Sequence, residues 1–302
     1  MDVISILIPV FLVLALGYVS VLGKIFTSDD SYVFSKYVFY FGFPILIFNR
    51  LNHTAFEKVA DVSFLLTNLL NLCVVTLCIV ALAWVLKLQK KLLGIMILAG
   101  IWGNVAYMGI PINEMFFGTE GGSYAAIVVG LTVVFSLLFG VPFLEYFAHG
   151  KPSVRTVILS VLKNPIVIGI LCGLFASGID LKLPAPIENF VVLIAESAGP
   201  VAIFSIGMFL VGKKVFSDKK LVFTLCFSNL FLLPLATFGL GTMFSVSEMM
   251  LQVSVLQGAM PIAITSFILA QKYKVAEEAV SGAIVLSTLI SIVSLGVVMW
   301  MF

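Results

Sequence analysis

The sequence predicts an all-α polytopic membrane protein of ten transmembrane helices, built as two inverted five-helix repeats. Three observations lead there: apolar runs of span length recur from end to end, basic residues alternate between the connections, and the prolines repeat. Of 302 residues, 61% are hydrophobic and 11% charged. A soluble chain could not bury that apolar fraction, whereas a bilayer core solvates it.

The apolar runs fall at 4–22, 32–51, 62–86, 92–117, 123–146, 157–177, 187–211, 221–244, 249–270 and 279–301. Each is about as long as the roughly 20 residues needed to cross a hydrocarbon core of about 30 Å. The first lacks the basic leading region and small-residue cleavage site of a secretory signal, so it is expected to remain as the first span. Cys73, Cys78, Cys172 and Cys226 lie within apolar runs and read as small packing residues. A net charge of +2, spread over short clusters, gives no reason to expect a nucleic-acid partner.

Basic residues near span ends stay on the cytoplasmic side. The odd-numbered connections hold 14 of the 17 Lys and Arg, namely Lys24, Lys36, Lys87, Lys90, Lys91, Lys151, Arg155, Lys163, Lys213, Lys214, Lys219, Lys220, Lys272 and Lys274. The even-numbered ones hold Arg50, Lys58 and Lys182. Both termini are therefore expected outside the cell membrane. A missed or invented span would scramble this alternation, so the charges support the count as well.

Pro9, Pro44 and Pro111 are separated by 35 and 67 residues, and Pro165, Pro200 and Pro261 by 35 and 61. "FPILIF" at 43–48 parallels "GPVAIF" at 199–204, and "GIPI" at 109–112 parallels "AMPI" at 259–262. In spans five and ten, "LT" and "GV" are followed 156 residues later by "ST" and "GV". The halves, 1–150 and 151–302, each contain an odd number of spans, so the second enters the membrane from the opposite side.

Gly109-Ile110-Pro111 and Gly258-Ala259-Met260-Pro261 each read as one helix stopping and another starting, glycine suiting the end and proline the beginning. Broken backbone at membrane depth is tolerated only where it meets protein or lines a cavity. Two breaks in symmetric spans can cross and cover each other. The new half-helix starts carry partial positive charge suited to a carboxylate. Asn104, Tyr107, Gly109, Pro111 and Asn113 in span four, with Gln257, Gly258, Pro261 and Thr265 in span nine, are the candidate substrate residues. For Asn104 and Gln257, satisfying freed backbone groups is the alternative role, and one amide can do both. Asn164, beside Pro165, is a candidate if the inverted pairing brings it to the crossing, and otherwise a helix cap.

At these residues the chain resembles the auxin efflux carrier family, whose bacterial members include malate- or malonate-permease-like proteins. The matching pieces are "PVFLVLALGY" (9–18), "FPILIF", "GNVAYMGIPI" (103–112), "KNPIVIGILCGL" (163–174), "GPVAIFSIGMFL" (199–210) and "LQGAMPIAITSFILAQKY" (256–273). The resemblance implies a fold akin to sodium–bile-acid symporters and sodium–proton antiporters, with spans four and nine crossing in an X. It further implies a homodimer through a scaffold of helices 1, 2, 6 and 7, and a transport domain of helices 3–5 and 8–10 that moves like an elevator. It assigns substrate roles to Asn104, Pro111, Gln257, Gly258 and Pro261. The long cytoplasmic loop of plant exporters has no counterpart in the short fifth connection.

A secondary-active or facilitative carrier of small organic anions in the cell inner membrane is thus expected. A channel or membrane sensor on the same fold, or a carrier of a neutral polar solute, is the alternative. No cofactor or metal is expected, and coupling to H+ or Na+ stays open. Neither crossing contains aspartate. Glu196 and Glu114 are the nearest acids, each either a proton carrier or a solvated wall or surface residue; His53 and His149 lie in or near connections. "GILCG" at 169–173 offers close helix packing, within the chain or across a dimer. With two histidines 96 residues apart and no paired intramembrane aspartates, the chain has no hydrolase constellation. In a cysteine-free background, cysteines at positions 90 and 219 should resist an impermeant thiol reagent added to intact cells. Labelling from outside would reverse the orientation.

Overall fold

In the computed structural model, residues 3–55, 61–150 and 153–302 are described; Lys58 and Lys151, used above for orientation, lie outside them. The described residues are helical apart from short turns and one isolated pair of extended residues. Among the described residues, seven helical stretches are long and apolar enough to cross a membrane. The number becomes eight if 154–162 and 165–178, bent by 56°, count as one. Large apolar side chains face outward throughout, Trp84 at 81% and Trp300 at 82% exposed, which suits lipid and not water.

The helices are α1 Val3–Leu22, α2 Ser31–Tyr37, α3 Phe43–Asn52, α4 Val62–Val85, α5 Leu93–Ile101, α6 Ile110–Phe135, α7 Val141–His149, α8 Val154–Leu162 and α9 Pro165–Gly178. They continue as α10 Ala185–Leu210, α11 Lys219–Phe227, α12 Leu233–Met243, α13 Glu248–Gly258, α14 Ile264–Tyr273 and α15 Glu277–Trp300. One of the counted stretches, Val105–Ala148, has 44 residues. At 1.5 Å per residue it would reach about 66 Å if straight, twice a bilayer core. It does not run straight: within α6, Gly118 stands at φ 72° and ψ −168°, and the chain turns there. The left-handed φ is one that glycine adopts without penalty.

Four π-helical segments share one cause. Val38–Gly42, Val105–Gly109, Ser136–Gly140 and Ser228–Leu232 each end two residues before a proline, namely Pro44, Pro111, Pro142 and Pro234. Proline lacks an N–H and its ring crowds a carbonyl one turn back. Widening the turn absorbs the clash and lets the helix continue. Thus the N–H of Phe43 reaches back to Val38, that of Val141 to Ser136, and that of Leu233 to Ser228. The expectation that helix stops at Gly109-Ile110-Pro111 is corrected by this pattern. Helix runs through that string, and span four breaks at Trp102–Asn104 instead.

The chain divides into two compact units, each drawing on both halves of the sequence. One comprises Met1–Asp61, Ala106–Gly130 and Lys163–Gly212; the other Val62–Val105, Leu131–Leu162 and Lys213–Phe302. Inside the first unit, backbone meets backbone at glycine. A Cβ on Gly207 would stand 1.9 Å from the Leu14 carbonyl oxygen, and one on Gly17 would stand 2.1 Å from that of Phe204, so α1 and α10 pack without side chains between them. Gly169 and Gly173 of "GILCG" press in the same way on Pro44 and Phe48 of α3, which makes that motif an internal contact. Inside the second unit, Gly94 closes on Leu144 of α7, and Gly282 on Val215 before α11.

Gly207→Ala should lower the thermal stability of the purified protein by about 1–3 kcal/mol, since the overpacked atom is backbone and cannot rotate away. Gly239→Ala, where a Cβ meets nothing within 4 Å, should be neutral or slightly stabilising. Equal melting of the two variants would contradict the close-packed α1–α10 seam.

Candidate functional site: two broken helices paired through their backbones

Span four loses its helix after Ile101, and span nine after Gly258. The freed residues do not dangle. Gly103 and Ile262 form an antiparallel bridge, in which the Asn104 N–H donates to the Pro261 carbonyl at 2.6 Å and the Ala263 N–H to that of Trp102 at 3.0 Å. Ile262 turns its own N–H the other way, to Ser287 Oγ of α15 at 3.1 Å. Each break therefore supplies the partners that the other lost, which membrane depth demands. Gly103 is required at this point because a Cβ would come within 3.0 Å of the Met260 carbonyl oxygen.

Amides and hydroxyls surround the pair. Asn104 is 4% exposed and Gln257 fully buried in the last turn of α13. Gly258 lets α13 close on α12, since a Cβ there would stand 3.1 Å from Thr237 Oγ1. Asn71 of α4 donates from Nδ2 to that same hydroxyl at 2.7 Å, and Asn68 donates to Ser254 Oγ at 3.0 Å. Thus α4 braces the first half of the broken span nine. Pro261 is buried in the extended segment, and Thr265, half-buried, lies in the first turn of α14. Among the described residues no Asp, Glu, Lys, Arg or His is buried, so this interior is polar without being charged. Its fixed charge is that of backbone dipoles, including the start of α14.

The remaining sequence candidates belong to the first unit. Tyr107 and Gly109 lie in the π segment, with the Tyr107 ring 4.9 Å from that of Phe43. Asn113 is buried and donates from Nδ2 to the Gly109 carbonyl at 2.8 Å, a local bond that takes one of its two N–H donors. Asn164 caps α9, its Oδ1 accepting from the N–H groups of Ile166 and Val167 at 2.9 and 3.4 Å. Pro111, Glu114 and Glu196 line a cavity of about 450 Å3 together with Pro9, Arg50 and Pro200. Arg50 is no loop residue: it lies inside α3, its side chain 16% exposed, and pairs with Glu114 at 2.5 Å. Glu114 thus faces a fixed cation, whereas Glu196 is exposed at the cavity.

Sequence reasoning missed Asn229 and Ser287. Asn229 sits in the π segment before Pro234, fully buried, its Nδ2 3.6 Å from where a Cβ on Gly103 would stand. The signal was present as an asparagine in the middle of an apolar run, five residues ahead of a proline. Ser287 was noted only as half of a repeated dipeptide.

A chain whose described residues are helical with outward apolar faces, and which pairs two broken helices in a polar, uncharged setting, belongs to the class of membrane transport proteins. The family model described as membrane transport protein matches residues 2–299, and the chain belongs to this, the auxin efflux carrier family. A Rhizobium meliloti protein named "Putative malonate transporter" is 24% identical over 297 residues, covering 96% of this chain and 93% of that one. "Uncharacterized transporter YfdV" of Escherichia coli K12 is 24% identical over 294 residues, with 94% and 92% covered. The rice protein "Probable auxin efflux carrier component 5a" is 28% identical over 153 residues, with 47% and 42% covered.

Ser287→Ala should strand the buried Ile262 N–H and lower stability by about 1–3 kcal/mol. Thr288→Ala, which removes a hydroxyl bonded only within its own helix, should cost less. A Ser287 variant that melts like wild type would mean that Ile262 does not depend on it.

Proposed function

We propose that this protein is a secondary-active or facilitative carrier of small organic acids, holding the substrate carboxyl where spans four and nine pair. The observation that carries the reading is the pair of breaks itself. A structural protein has no use for two interrupted helices, each costing several backbone hydrogen bonds, flanked by buried amides in an interior without charge. Two half-helices that start beside amide donors suit a group that accepts hydrogen bonds.

The ten-span, inverted-repeat arrangement belongs to this proposal. It takes α5 with the helix up to Gly118 as span four, the rest of α6 with α7 as span five, α8 with α9 as span six, and α13 with α14 as span nine. Both termini then face outside. Helices 1, 2, 6 and 7 serve as a dimeric scaffold, against which the rest carries substrate in an elevator-like movement. The relatives support the substrate class through one name, the "Putative malonate transporter" of Rhizobium meliloti, and the composition of the interior is compatible with it. Asn104 and Gln257 are the residues on which binding depends.

In proteoliposomes, uptake of labelled malonate should saturate and should accelerate when malonate is loaded on the far side. Asn104→Ala and Gln257→Ala should each reduce uptake at least tenfold, on the order of 1.4 kcal/mol or more, while eluting as folded protein. Full uptake by both variants would remove the substrate from the crossing. Flux that never saturates would favour a channel.

A further inference from the structure

The second unit holds a cavity of about 750 Å3 in which no substrate candidate takes part. Its volume falls within the range of roughly 300–1,000 Å3 typical of small-molecule sites. Val80 and Trp84 from the end of α4, Leu93 from the start of α5 and Phe147 of α7 line it, together with Lys87 and Lys90 of the connection between α4 and α5. Backbone packing holds these walls in place. A Cβ on Gly94 would stand 2.4 Å from the Leu144 Cα, so α7 lies directly against α5 and carries Phe147 to the cavity. The chain reverses at Lys87, whose φ is 53°, and the Leu88 N–H returns to the Ala83 carbonyl at 2.9 Å. The connection is thereby folded back on the end of α4.

The cavity stands where the membrane ends. The stretch long and apolar enough to cross it stops at Val85, and Trp84, 81% exposed, is the kind of amphipathic ring that settles at the headgroup level. Apolar walls therefore adjoin ammonium groups within a few residues. No acidic side chain lines the cavity, and among the described residues neither Lys87 nor Lys90 forms an ion pair. Lys220 of α11 donates to the Leu86 carbonyl and so brings a third ammonium to the same connection. Like charges gathered at a membrane boundary call for an anion, and the apolar walls call for hydrocarbon attached to it. A soluble anion would leave Val80, Trp84 and Phe147 uncovered. A zwitterionic headgroup would bring its own ammonium against the lysines. We infer that this cavity binds an anionic phospholipid, its phosphate held by Lys87 and Lys90 and the upper part of its chains lying along Val80, Leu93 and Phe147. The rest of the chains continue into the bilayer, and the end of α4 is fixed at the headgroup level of one leaflet.

The test is thermal stabilisation of the purified full chain, stripped of lipid in a neutral detergent, by three probes: phosphatidylglycerol, phosphatidylcholine with the same acyl chains, and glycerol phosphate. Phosphatidylglycerol should raise the melting temperature saturably, and the other two should leave it in place. The double variant Lys87→Gln/Lys90→Gln should melt like wild type without lipid, because both side chains are exposed, and should need at least tenfold more phosphatidylglycerol for half-saturation. Lys272→Gln/Lys274→Gln removes the same charge elsewhere in the second unit, again with one lysine at a φ of 53°, and should respond as wild type does. Equal stabilisation by the two lipids, equal loss in the two double variants, or no response to phosphatidylglycerol would overturn the site, the second by showing only a diffuse attraction of anions to a basic surface. Glycerol phosphate acting as strongly as the lipid would overturn the lipid and make the ligand a soluble phosphate ester.

Discussion

Everything else in this structure depends on one short antiparallel contact, in which two interrupted helices exchange backbone hydrogen bonds through Trp102, Asn104, Pro261 and Ala263. An interrupted helix in lipid leaves donors and acceptors that water cannot reach, and a single break would be unstable. Two breaks that meet satisfy each other. The price is steric: the chains must approach closely, and so a glycine stands at 103. Ser287 takes the one N–H that points away from the pair. The amides of Asn68 and Asn71 then hold the neighbouring helices in a fixed relation to the broken one. The site is therefore a consequence of backbone bookkeeping before it is a feature of side chains.

Proline is used in two ways around the break of span nine and the widened turns. Pro261 lies within a true interruption, where the backbone is extended. Pro44, Pro111, Pro142 and Pro234 lie just beyond a widened turn that keeps the helix continuous. The same residue thus lies in one interruption and merely loosens four other helices, the interruption being the place where an extended partner receives the freed groups. Span four illustrates this. Its proline is accommodated by a π turn, and its interruption falls nearly a full two turns earlier, opposite the extended segment of span nine.

The interior around the paired breaks holds hydroxyls, amides and helix-end dipoles, and no ionised group among the described residues. Such an environment distinguishes hydrogen-bond donors from acceptors while penalising net charge. By contrast, Arg50, a partly buried cation of the first unit, is paired with Glu114 and sits at a cavity lined mostly by apolar atoms. The two regions treat charge in opposite ways: one compensates it locally, the other excludes it.

Much of this was legible in the chain itself. Hydropathy alone establishes a helical membrane protein, because no other solvent accepts so many outward leucines and phenylalanines. The glycine before Pro261 located the break in span nine, and "GNVAYMGIPI" drew the eye to the right ten residues of span four. What the sequence could not supply was the position of the break within those residues, since Gly103 and Gly109 are equally able to end a helix, and only the location of Ile262 in space decides between them. For the same reason Asn113 and Asn164 could not be told from Asn104 and Asn229. An asparagine reads identically whether it caps a helix, bonds its own turn or faces a gap. Local composition determined the solvent and the elements; which polar groups remain to meet a ligand was decided by tertiary structure, because a hydrogen bond is settled by where the partner lies and not by which residues are neighbours in the chain.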